Sequence, residues 1–215
     1  MTDSPRPRKE RKENADKRRR QILNATYRSI VTNGLARTTL ATVAKEAGLS
    51  QGVAVFYFKS KNGLLTEALR DLYETYEVHW RAAFAAAGDD PARQLMAIVR
   101  ADFDPDICNA QILSVWFAFW GEQKFTPQYA DITQVYDQRR TQAIRDICAR
   151  LLPDNTKAAY NLAEWVDTLT DGYWQHLHLF TNQIDNAGAL AGTVRFLCAQ
   201  LPDHAAVLKA AAEPG

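Results

Sequence analysis

Three cysteines in 215 residues, Cys108, Cys148 and Cys198, are too few and too scattered to staple a fold. Their number is odd, no C-x-x-C spacing occurs and no apolar leader precedes them. They read as small buried hydrophobes in a reducing cytoplasm. No stretch reaches the ~18 uninterrupted apolar residues of a membrane span, so neither signal peptide nor membrane partner is expected. The ten glycines never cluster into a phosphate-cradling loop, and neither a nucleophile elbow nor a Ser/His/Asp order is found. His176 and His178 are two residues apart and leave a helix on different faces, whereas a metal pair wants a spacing of three or four. No catalytic constellation, metal or cofactor is therefore expected. No segment alternates with period two, which excludes a sheet, and no internal repeat is visible.

What remains is helical and divided in charge. Hydrophobic residues make up 47% of the chain and charged ones 24%, ordinary values for a globular protein of one large or two small domains. Residues 1–63 hold 14 Lys and Arg against 5 Asp and Glu, a net of +9; the remainder holds 12 against 20, a net of −8. A basic head on an acidic body is the electrostatic footprint of a chain that offers one end to phosphates. Much of the excess lies in Arg6, Arg8, Lys9, Arg11, Lys12, Lys17, Arg18, Arg19 and Arg20. Residues 1–15 are charged and Pro-interrupted, and are expected to be a disordered arm. Such a segment is either a solvated tail or an arm for a flanking DNA groove.

From Asp16 the pattern turns helical, with Ile22, Leu23, Ala25, Thr26, Ile30 and Val31 as an apolar stripe and Asn33-Gly34 as its end. The decisive stretch follows. Val43, Ala44 and Ala47 give one short apolar face, Gly48 stops the helix, and Ser50 is placed to cap a second helix that runs through about Tyr57. Two short helices joined by a tight Gly-containing turn are the helix-turn-helix arrangement, though on spacing alone an ordinary helical hairpin would read the same. The residues Thr38-Thr39, Val43-Ala44, Ala47-Gly48-Leu49-Ser50, Gly52, Tyr57-Phe58 and Lys61 resolve the choice. Over Gly34 to Leu65 they resemble the DNA-binding domain of the TetR family at almost every position of its pattern. The resemblance implies an inner face of Leu49, Ala54 and Phe58. It implies DNA contacts from Thr39, Ser50, Gln51, Gly52, Val53, Val55, Tyr57 and Lys61, with Gln51 carrying the bidentate amide that matches adenine.

The body reads as about six further helices. A long amphipathic one, Leu64 to about Ala86, is broken at Gly88-Asp89-Asp90-Pro91. Ala92–Phe103, Ala110–Gly121, Pro127–Leu152, Thr156–Phe180 and Asn186–Leu201 follow, ahead of a small Ala-rich tail. The segments 127–152 and 156–180 should lie antiparallel. By family resemblance they pair with their symmetry mates in a homodimer, through residues drawn from Ile132, Val135, Tyr136, Ile147, Trp165, Val166 and Leu169.

Phe103-Asp104, Trp116-x-Ala118-Phe119-Trp120, Leu151-Leu152-Pro153 and Leu169-x-Asp171-Gly172-x-Trp174 resemble the regulatory domain of choline-responsive repressors of glycine betaine synthesis. A quaternary ammonium cannot donate hydrogen bonds, so its site is best built from aromatic faces with a carboxylate nearby. Trp116, Phe119, Trp120, Asp171, Tyr173 and Trp174 supply those elements; an aromatic stripe that merely packs the core is the competing reading. The expectation is an all-α, cytoplasmic, homodimeric repressor. It would comprise an arm (1–15), a helix-turn-helix domain (16–63) and an effector-binding, dimerising domain (64–215), bind a double-stranded DNA operator, and leave it when a small-molecule effector such as choline is bound. The rivals are the same repressor with another aromatic, amphipathic or drug-like effector, and a helical small-molecule carrier without a DNA role.

Overall fold

Backbone geometry at a few positions decides how the head of this chain folds. The computed structural model describes residues 8–180 and 183–213. The first helix, α1 (Arg8–Arg37), is kinked where Gly34 takes φ 75° and leaves helical geometry. Its stripe is buried at Ile22, Leu23, Ala25, Thr26 and Ile30, while Val31, one step round the helix, is exposed. Thr39 caps α2 (Leu40–Glu46): its hydroxyl accepts from the Thr42 amide at 3.1 Å, and Thr42 Oγ1 accepts from the Thr39 amide at 2.8 Å. Gly48, at φ 65°, then reverses the chain in a conformation that a Cβ would oppose. After it comes α3 (Gln51–Phe58), and Lys59, at φ 64°, turns the chain into α4 (Lys61–Ala86).

The expected disordered arm falls on two kinds of residue. Positions 1–7 lie outside the described residues, whereas Arg8–Ala15 are the first turns of α1. Lys, Arg and Glu are good helix formers, so once α1 is nucleated by its buried stripe, composition favours extending it. The basic run is also less available than its count suggests. Arg19 pairs with Glu67 and Arg20 with Asp71 at 2.6 Å, and further along α1 Arg28 pairs with Glu46 at 2.7 Å. These exposed pairs contribute little stability, but they neutralise charge.

Contacts divide the chain into two compact units, Met1–Leu72 with Ser114–Tyr129, and Tyr73–Leu113 with Ala130–Gly215. The body helices are α5 (Pro91–Asp102), α6 (Ala110–Gln123), α7 (Pro127–Leu151), α8 (Thr156–Leu179) and α9 (Asn186–Gln200). Asp90, Asn155 and Asp185 cap α5, α8 and α9, each accepting a backbone N–H. The Ala-rich tail is ordered: a 3-10 turn (Pro202–His204) leads into α10 (Ala205–Ala212), which packs on α5 and α9 and buries Leu208 completely. Among the described residues no strand is present, so the fold is all-α, and no helix is long and apolar enough to cross a membrane. Cys108 and Cys148 are buried, and burial pushes both thiols up to about 12; Cys198 is only half-buried.

Of the residues expected at a dimer face, Ile132, Ile147 and Val166 are buried within the chain. Val135 and Trp165 are nearly half exposed, and Tyr136 and Leu169 lie between. Helical periodicity alone could not separate a core stripe from an interface stripe.

The start of α4 crosses so close to the end of α3 that a Cβ on Gly63 would collide with the Phe58 carbonyl oxygen, a backbone atom that cannot rotate away. Gly63→Ala is therefore expected to destabilise the protein by ~1–3 kcal/mol. A thermal melt that matches the unsubstituted protein would contradict this.

Candidate functional site

The helix-turn-helix presents its second helix outward. Ala54 and Phe58 are buried and Leu49 is half-buried, as the expected inner face requires. Gln51, Gly52 and Val55 are exposed, while Val53 and Tyr57 are half-covered. Phe56, absent from the expected set, is 69% exposed, lies edge-on to Tyr57 at 5.3 Å and carries the Lys59 ammonium 5.1 Å from its ring centroid. Phe56 follows Ala54 by two residues, which puts it on the opposite face of a helix, so periodicity held the signal.

The flanking candidates have structural duties as well. Thr39 is occupied in its capping box. Ser50 stands at the N-cap of α3 with no side-chain cap bond, so its hydroxyl is available to another acceptor or donor. The Lys61 ammonium donates to the Ala36 carbonyl and ties α4 to the link between α1 and α2.

The six expected effector contacts fall in both units. On α6, in the first unit, Trp116 and Trp120 share a face as their spacing requires, with ring centroids 6.1 Å apart. Trp116 and Phe119 are almost completely buried and Phe119 meets Tyr129 edge-on, so these two rings pack like core. On α8, in the second unit, neighbours diverge. Tyr173 turns to Phe103 and lies over Gly192, where any Cβ would collide with its hydroxyl. Trp174 turns the other way, to Tyr76 at 5.6 Å, and donates its Nε1–H to the Asp102 carbonyl at 2.8 Å.

Around Trp174 lies a charged cluster that sequence reasoning missed. Arg140 on α7 bonds Asp102 of α5 at 2.5 Å and Asp167 of α8. Tyr76 donates to the other Asp102 oxygen at 2.5 Å, and Thr141 donates to Asp167 at 3.0 Å. Tyr73 stacks on Tyr136 at 5.3 Å. Burial works against the charge on Arg140, but Asp102, Tyr76 and Asp167 override it and hold the guanidinium ionised, above its ordinary range. Its Nε–H is buried with no acceptor. Asp171 of α8 and Asp137 of α7 are open to solvent on one side and lie within the field of Arg140, and the protein around them partly desolvates their carboxyls. Burial pushes the Asp171 carboxyl up to about 7, against the pull of Arg140 and with help from Asp102, Asp167 and Asp137. Among the described residues no group of His, Cys, Asp and Glu is arranged to hold a metal. A groove of about 1120 Å³ lies elsewhere in the second unit, lined largely by alanines of α4, α5 and α10. Of aromatic rings it offers Phe103 and the imidazole of His79 alone.

Two known families match the chain. Residues 22–68 match the family of bacterial regulatory proteins named tetR. Residues 91–203, more than half of the chain, match the C-terminal domain of BetI-type transcriptional repressors. The chain belongs to the TetR family. Among its relatives, the HTH-type transcriptional regulator BetI of Stenotrophomonas maltophilia is 37% identical over 157 residues, 73% of this chain and 79% of that protein. The regulator of the same name from Paraburkholderia xenovorans is 35% identical over 177 residues, 80% of this chain and 88% of that protein. Among solved structures, a transcriptional regulator of Pseudomonas aeruginosa PAO1 superposes with a TM-score of 0.78 at 18% identity, covering 90% of this chain and 95% of its own. One from Saccharomonospora viridis, in complex with choline, superposes with a TM-score of 0.72 at 21% identity, covering 85% and 96%. At such identities these two report the fold alone.

The chain is thus a transcriptional repressor of this family, and the outward residues of α3 face the groove of its operator in the expected reading. Gln51→Ala is expected to cost ~1–3 kcal/mol on the cognate site and to relax one base position, because the side-chain amide is the bidentate group on the exposed face of α3. A binding selection that returns unchanged preference at every operator position would remove Gln51 from the reading face.

Proposed function

We propose that this repressor is a cytoplasmic homodimer released from its operator by a quaternary ammonium effector, choline or a close analogue. Residues 16–63 read DNA, and residues 64–215 bind the effector and dimerise. The observation that carries the effector reading is the Arg140 cluster of the second unit, where the rings of Tyr76 and Trp174 lie 5.6 Å apart and Tyr76 feels the charge of Asp171. A cation that cannot donate hydrogen bonds is held by ring faces and by the field of nearby carboxylates, and both strengthen in a water-poor site. The buried Arg140 Nε–H is a donor in want of an acceptor, and a hydroxyl oxygen such as choline carries would supply one. The choline complex of the Saccharomonospora viridis regulator supports the same class of ligand.

α4 carries the response. Lys61 and Gly63 stand at its start, and Tyr73 and Tyr76 lie further along it. A shift of α4 on effector binding alters the spacing of two recognition helices in a dimer, and half-sites in successive major grooves no longer match. Dimerisation is assigned to the α7–α8 region. Trp165 and Leu179, fourteen residues apart on α8 and so on one face, are 46% and 56% exposed, with Val135 of α7 also open. Trp165→Asp is expected to shift the protein to monomer in sedimentation; an unchanged dimer would move the interface elsewhere.

The effector reading is tested by comparing choline with 3,3-dimethylbutanol, which has the same shape without the charge. Choline is expected to bind well and the alcohol poorly, and Asp171→Asn to weaken choline while leaving the alcohol untouched. Trp120→Leu tests the α6 rings separately, with a loss of ~1–2 kcal/mol expected if the ring quadrupole holds the cation. Equal affinities for the two ligands would dismiss a cation site.

A further inference from the structure

The groove of about 1120 Å³ in the second unit has no part in the effector reading, and its lining has a chemistry of its own. α4 brings Ala82, Ala83 and Ala86 to it, at spacings that share one helix face, and α10 brings Val207 and Ala210. α10 packs on α5 and α9, whose Ala97 and Leu190 also reach the groove. An alanine side chain extends by one carbon, so faces built of alanine do not interlock across the space and it stays open. Its size is at the upper end of what small-molecule sites use.

The polar groups of the lining are uneven in sign. Arg93 and Arg100 reach the groove from one face of α5, seven residues and about 10 Å apart along the helix, with Ala97 between them. Neither guanidinium has an ion-pair partner among the described residues. Arg100 donates to the Ala211 carbonyl at 3.3 Å, which ties its side chain to the α10 wall. The one carboxylate of the lining, Asp104, is engaged elsewhere: it lies 3.7 Å from His79 and accepts the Asp106 amide at 2.9 Å. Asn186 commits its side-chain N–H groups to the Phe103 and Cys108 carbonyls. The groups left for a ligand are two guanidiniums beside apolar walls, which complement an anion with an aliphatic body and oppose a cation such as choline.

We propose that this groove is a second ligand site, for an amphipathic carboxylate of the fatty-acid class, with its head on the arginines of α5 and its chain along the alanine faces. A guanidinium presents a planar fork of donors that matches a carboxylate, and the methylenes lose water against the walls. Each methylene added to the chain tightens binding about three- to fourfold until the groove is full. The site uses none of the Arg140 cluster, so it goes beyond the choline reading and does not rest on it.

Calorimetric titration of the full chain with decanoate, decanol and decylammonium, which share one chain and differ in head charge, tests the site. Decanoate is expected to bind once per chain and at least about tenfold tighter than either of the others. Arg93→Gln and Arg100→Gln should each weaken decanoate about tenfold and leave decanol unchanged. Ala97→Leu, at a half-buried position between the two arginines, and Ala86→Leu, at an exposed one on the facing wall, fill the groove and should weaken both ligands. Saturating choline should leave decanoate affinity unchanged. Absence of decanoate binding, equal affinities for decanoate and decanol, or indifference to both arginine variants overturns the site. Competition between choline and decanoate places them in one cavity and overturns it as well. So does a fall in oligomeric state with Ala97→Leu or Ala86→Leu in sedimentation, because the groove would then be covered by a second copy of the chain.

Discussion

The second unit depends on one buried ion pair. Arg140 reaches from α7 to Asp102 at the end of α5 and to Asp167 on α8, and so ties three helices at one point. Everything near it is arranged around Asp102: Tyr76 donates to its carboxylate, and Trp174 donates to its backbone carbonyl. Loss of either partner would leave an uncompensated buried charge, a change worth several kcal/mol, whereas a well-packed apolar replacement of the whole group could be as stable. The pair is thus better explained by what it positions than by stability. It holds the rings of Trp174 and Tyr76 together, with the Asp171 carboxylate in the field of Arg140.

The first unit is governed by backbone rather than by charge. Gly48 and Lys59 take left-handed conformations at the two ends of α3, and Gly63 lets α4 start against the Phe58 carbonyl. With Ala54 and Phe58 buried, these constraints leave α3 little choice of which face it exposes. α4 begins in this unit, and its residues from Tyr73 onwards belong to the other.

The helix-turn-helix was legible in the sequence because its determinants are local: a cap, a glycine turn and an i, i+4 inner face all fall within twenty residues. The all-α body and most helix ends were legible for the same reason. Three things were not. Arg140 lies 38 residues from Asp102 and 27 from Asp167, within the polar run Asp137-Gln138-Arg139-Arg140, which looks like a solvated face until the helices pack. Trp174 was visible as a candidate, but its partner Tyr76 read as one more apolar position of a long amphipathic helix. Composition also argued for disorder at Arg8–Ala15, although the same residues readily extend a helix nucleated downstream. Tyr173 and Trp174 were both expected to wall the effector site as aromatic faces; one hundred degrees of helix separates them, and only Trp174 faces the cluster.

The most direct measurement is a crystal structure of the protein grown with choline. The account predicts the ammonium group against the rings of Tyr76 and Trp174, within about 6 Å of their centroids, beside Asp171. Choline seated instead in the alanine-lined groove between α5 and α10 would contradict it.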